Sequence, residues 1–187
     1  MIFVIDNKVQ ILTKLLRGKG TLYILEYLHE NKTGHHKDFR EVLCAETCNF
    51  RLRELLRINF IQHHLIRDPR KREWYTLTDE GSKFLRLIKR LSELENGNKE
   101  FLILFGLSGT REILQHLIKN GRSQHKGFDL SVSLPTLDAR LHKLLKFNLI
   151  EHHVTKRTRR RKWYKITEKG MKALKYLENI FELIKEK

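Results

Sequence analysis

The chain has 187 residues, enough for one large domain or two small ones, and its 40% hydrophobic content argues against wholesale disorder. A formal net charge of +16 attracts polyanions at long range, through nucleic-acid phosphates or anionic lipid headgroups. No apolar run approaches the roughly 18 residues needed to span a bilayer, and Cys44 and Cys48 alone make no disulfide framework.

The opening MIFVI is too short for a signal-peptide core and Asp6 interrupts it, so a soluble, cytoplasmic protein is expected. Apolar residues in 9–16 suggest a short first helix. From Gly20, Leu22, Ile24, Leu25 and Leu28 recur at helical spacing and stop at Asn31. A short helix is expected over 37–43 and a third over 47–59, with Cys48, Leu52, Leu55 and Leu56 on one stripe. The two thiols, one helical turn apart, read as buried or half-buried, with a metal or redox pair as the rival reading. The pattern then changes to strand period at residues 61–66, passes a charged turn, DPRKR (68–72), and enters a second strand, EWYTL. Thr78 is a good cap for a long helix with Phe84, Leu85, Ile88, Leu91 and Leu94 on its apolar side.

ENGN (95–98) breaks the charged helical stretch, and beyond it the order repeats. Shifting the chain by about 89 residues aligns 15–90 without a gap, with roughly a third of positions identical. RELLRINFIQHH (53–64) falls on HKLLKFNLIEHH (142–153), REWYTLTDEG (72–81) on RKWYKITEKG (161–170), and GTLYILEYL on GTREILQHL. The later copy's third helix opens with Ser133 as cap and Pro135 in the first turn, and carries the stripe Leu137, Leu141, Leu144 and Leu145. The expected fold is therefore mainly α with small β-hairpins (α+β), divided into modules 1–96 and 97–187. The short break between them predicts a fixed, pseudo-symmetric pair.

Three helices, a hairpin and a further helix make the order of a winged helix. YTLTDEG and YKITEKG resemble the hairpin exit and last-helix start of MarR-like, PadR-like and HxlR-like (archaeal-type) transcriptional regulators. LLRINFI and LLKFNLI resemble the recognition-helix end and first wing strand of those families. The resemblance covers nearly the whole chain, as two copies; the departure is the tandem arrangement, since those families carry one module per chain and dimerise. It implies double-stranded DNA as partner, with third helices in the major groove and wings on flanking phosphates.

Charge points the same way. TKRTRRRK (155–162) places Lys156, Arg157, Arg159, Arg160, Arg161 and Lys162 on one short loop, a self-repulsive run that a polyanion neutralises. The rival reading is a solvated loop in a basic protein. The first wing, with Arg70, Lys71 and Arg72, is diluted by Asp68 and Glu73. Residues 1–98 carry +5 and residues 99–187 carry +11, so the main phosphate grip is expected in the second module. Facing away from the leucine stripes are Thr47, Phe50 and Glu54, and Thr136, Ala139 and Lys143. Arg51 and Arg140, identical in the two copies, lie at the stripe's flank and either reach guanine edges or phosphates or brace the wing. Phe50 and Glu54 are poor phosphate partners and leave open that the first module meets protein.

His63-His64 and His152-His153 cannot each chelate one ion, because adjacent strand residues face opposite sides. Trp74 and Trp163 are expected on the hairpin's outer face, packed on a neighbouring helix or module, with Tyr75 and Tyr164 inward. No cofactor or metal is expected, and no phosphate-cradling, dinucleotide or metalloprotease motif is present, so no enzyme activity is expected. The rivals to a transcriptional regulator are a plasmid-type replication initiator and a protein-interaction module built from tandem winged helices. The helices beginning at Thr78 and Thr167 carry surplus apolar residues, which make either an internal pseudo-dimer or a true homodimer.

Overall fold

The computed structural model describes residues 7–18, 20–66, 72–155 and 161–184. The chain runs α1 (Asn7–Arg17), α2 (Thr21–Asn31), β1 (Thr33–Gly34), α3 (His36–Arg40), α4 (Ala45–Arg57), β2 (Ile61–Ile66), β3 (Arg72–Leu77) and α5 (Asp79–Glu93). It continues with α6 (Lys99–Phe105), α7 (Thr110–Asn120), β4 (Ser123–Gln124), a 3-10 turn (His125–Gly127), α8 (Leu134–Lys146), β5 (Ile150–Thr155), β6 (Arg161–Ile166) and α9 (Glu168–Leu183). The molecule is thus mostly helical with two small antiparallel sheets, ordered β1-β3-β2 and β4-β6-β5. Among the described residues no helix is long and apolar enough to cross a membrane.

Residues identical in the two copies do identical backbone work. Asn59 and Asn148 turn the chain at positive φ (59° and 54°) after α4 and α8, a conformation asparagine tolerates better than most residues. Thr78 and Thr167 cap α5 and α9: each hydroxyl accepts the N–H three residues on, at 3.0 Å, and donates back to Asn59 or Asn148 at 2.7 Å. Gly81 and Gly170 let those helices approach the strand entry, where an added Cβ would stand 2.1 Å from the Phe60 or Leu149 carbonyl oxygen. Replacing Thr78 with alanine removes both bonds from a buried site and should cost about 1–2 kcal/mol. Urea unfolding measures this; an unchanged midpoint would remove the cap from the account.

Two local expectations need correction, and two short strands were not foreseen. α4 begins two residues early, at Ala45, because Cys44 takes the extended cap position and its carbonyl accepts the Cys48 N–H at 2.9 Å. Cysteine is not among the usual capping residues, so the start was hidden. α3 ends at Arg40, and its counterpart shrinks to a 3-10 turn. The reason is local: the Asp38 carboxylate accepts the His35 N–H at 2.7 Å, and Gly127 stands at Asp38's place in the second copy. The two-residue strands β1 and β4, which pair with β3 and β6, are too short to leave a periodic signal.

Counterpart elements pack on each other: α1 on α6, and α5 on α9. The buried residues, from Phe84, Ile88 and Leu91 on α5 to Leu177, Ile180 and Phe181 on α9, belong to one apolar cluster. Polar contacts join the copies as well. Thr13 donates to the Gly106 carbonyl, and Lys169 pairs with Glu95. The connection is itself ordered, with Asn96 and Gly97 at positive φ and Asn98 capping α6 through bonds from Glu100 and Phe101. Pairing of like with like is the contact pattern of a two-fold dimer, here within one chain.

Candidate nucleic-acid interface

The helices α4 and α8 bury their stripes, Cys48, Leu52 and Leu55 on one and Leu137, Leu141 and Leu144 on the other, and leave the opposite faces open. On α8, Thr136 is half-buried beside the Ser133 cap, while Ala139, His142, Lys143 and Lys146 are exposed. Lys146 reaches Glu100 at 2.9 Å, which holds that carboxyl below the usual range. On α4, Thr47 is half-buried and Phe50 is 51% exposed, with Arg53 and Arg57 also open to solvent. The Cys44 thiol lies 3.1 Å from the Thr47 hydroxyl, a hydrogen bond that lowers its pKa. Cys48 is fully buried and desolvation raises its own. Both thiols were expected buried or half-buried; Cys48 is, and Cys44 is exposed instead.

The identical arginines have different surroundings. Arg51 bonds Glu54 at 2.5 Å, donates to the Lys14 carbonyl at 3.3 Å, and lies 4.9 Å from the Phe50 ring centroid; its side chain is only 16% exposed. Arg51 thus carries a counter-charge within its own helix. Arg140 donates through Nε to the Ser108 carbonyl at 3.0 Å. Where Glu54 stands in the first copy, the second has Lys143, so Arg140 has no carboxylate one turn away. Burial, and then the like charge of Arg17, pull its pKa below the usual guanidinium range. Both arginines brace their helix against the segment before α2 or α7. Arg51 reaches α1 itself, and Arg140 lies close enough to Arg17 to feel its charge, so α4 and α8 approach the α1–α6 junction together.

The hairpins present their described residues plainly. Arg72 is exposed at the start of β3, opposite Ile66, and Lys162 is exposed opposite Val154. Arg70, Lys71, Lys156, Arg157, Arg159 and Arg160 lie outside the described residues, as does the side chain of Arg161. His63 stacks on Tyr75 with centroids 4.9 Å apart and His64 on Trp74 at 5.1 Å, which puts the adjacent histidines on opposite faces. Trp74 thus meets its cross-strand histidine, and Trp163 lies under the Arg122 guanidinium at 4.8 Å. Among the described residues no group of three or more histidine, cysteine or acidic side chains is placed to hold a metal ion.

Sequence reasoning missed Lys14 and Arg17, which the α1–α6 packing brings beside Arg140. The repeat alignment begins at Leu15 and carries no signal for which copy of a helix meets which. A comparison with protein families and with curated proteins finds no match.

Proposed function

We propose that the chain is a tandem winged-helix protein, with modules 1–96 and 97–187, that binds double-stranded DNA without catalysis and serves as a transcriptional regulator at the nucleoid. The observation that carries this reading is the open face of α8. Lys143 and His142 are exposed there and Arg140 flanks it, on the helix that leads into β5 and so into the loop with six basic residues in eight. Such a face suits a major groove, and the loop suits the adjoining phosphates. A second reading, protein contact by the first module, is favoured by exposed Phe50 and Val42 and by the neutralised Arg51. Regulator and replication initiator share this DNA chemistry.

The test is a titration of labelled random-sequence duplex at several salt concentrations. The logarithm of the association constant should fall linearly with that of salt, by about 0.9 per phosphate neutralised. A protein making about six to ten such contacts loses about 10³–10⁵ in affinity between roughly 50 and 200 mM salt. Absent binding, or binding insensitive to salt, overturns the proposal.

A further inference from the structure

A cavity of about 520 Å³ opens between α1, the α6–α7 connection and α8, lined by Gln10, Thr13, Lys14, Arg17, Ser108 and Arg140 together with the backbone around Gly106. Three of these side chains are cations and none is a carboxylate. We propose that this cavity is a binding site for a phosphoryl oxyanion, held by Arg17, Lys14 and the fork of Arg140.

The first copy shows what the site lacks. There, Arg51 meets the Glu54 carboxylate at 2.5 Å, so the guanidinium carries its own counter-charge. Arg140 is the same residue at the same helical position, and Lys143 replaces the carboxylate with another cation. Arg140 is half-buried and its Nε is fixed on the Ser108 carbonyl, so the ends of the guanidinium are preset for a bidentate acceptor. Among the described residues no carboxylate pairs with it, and the fold holds Arg17 and Arg140 close together. Like charges gathered in a cleft repel, and an oxyanion entering between them relieves that repulsion while using donors already in place. Glu54 in the first copy stands where an external anion belongs in the second.

A phosphoryl group reaches such a cleft from two sources: a free phosphorylated molecule, or a DNA backbone phosphate near the approach of α4 and α8. The site is argued from the cavity alone, and only the second source draws on the duplex-binding reading. Calorimetry of the full chain with pyrophosphate, at fixed ionic strength, tests the first. Arg17→Ala and Lys14→Ala, both exposed positions, should each weaken pyrophosphate binding about tenfold or more, whereas Lys175→Ala, an exposed charge on α9, should not. Duplex titrations of the same variants test the second. A backbone phosphate predicts a salt slope flattened by about 0.9 for Arg17→Ala and unchanged for Lys175→Ala. Either selective response supports the site and names its source. If neither ligand responds to Arg17→Ala or Lys14→Ala more than to Lys175→Ala, the site is overturned. If no duplex is bound at all, the pyrophosphate measurements decide alone.

Discussion

Replacing Arg159, Arg160 and Arg161 together with alanine should weaken binding to every duplex sequence alike and flatten the salt dependence. If all three meet phosphates, the slope falls by about 2.7, and affinity at about 0.1 M salt drops on the order of several hundredfold. The size of the effect follows from counterion release, which is lost once for each phosphate no longer neutralised. The three are consecutive in a sequence run with six basic residues in eight, like charges that a polyanion neutralises. Two unrelated duplexes, titrated across salt by anisotropy, check it. Equal losses on both mean phosphate contact, and a loss confined to one means base readout. If affinity for random duplex is unchanged, the loop has no part in binding.

Much of the fold is legible in the sequence because the repeat marks its own turning points. Asn59 and Asn148, Thr78 and Thr167, and Gly81 and Gly170 are identical pairs with backbone tasks, so their positions predict helix ends and starts. The leucine stripes of α4 and α8 are equally direct, since burial at helical spacing leaves a period. The cap at Cys44 and the pairing of β1 and β4 depend on neighbours remote from them, or on a residue type with no reputation for the role. They left no local trace.

The candidate site was harder to read, for a physical reason visible at one pair of residues. Identity of Arg51 and Arg140 suggested identical roles. A guanidinium's availability, however, is set by what surrounds it, and the deciding difference sits three residues further on, Glu54 against Lys143. The other contribution, Arg17, falls on Gly106 in the second copy, so the repeat carries no signal for it, and it arrives through α1–α6 packing. Charge counted by module, +5 against +11, distinguishes the halves without showing how their surfaces differ. The structure locates one such difference in the presence or absence of a single intrahelical carboxylate.

That difference can be transplanted. Lys143→Glu restores in α8 the spacing that joins Arg51 to Glu54 in α4, so the introduced carboxylate should fold Arg140 into an equivalent pair. Lys143→Ala removes one cation and leaves Arg140 as it is. If duplex binding uses the α8 face, alanine should flatten the salt slope by about 0.9, the value for one phosphate contact. Glutamate should flatten it by about twice that, because it removes Lys143 and neutralises Arg140 in one step. Lys143 is an exposed position on a helix whose buried stripe is untouched, so the unfolding midpoint of each variant should stay close to that of the parent. Equal slopes for alanine and glutamate would mean that Arg140 takes no part in holding DNA. A parent slope in both would place the interface away from α8 altogether. The larger loss with glutamate is the expected outcome, since that one carboxylate turns the open arginine into the closed one.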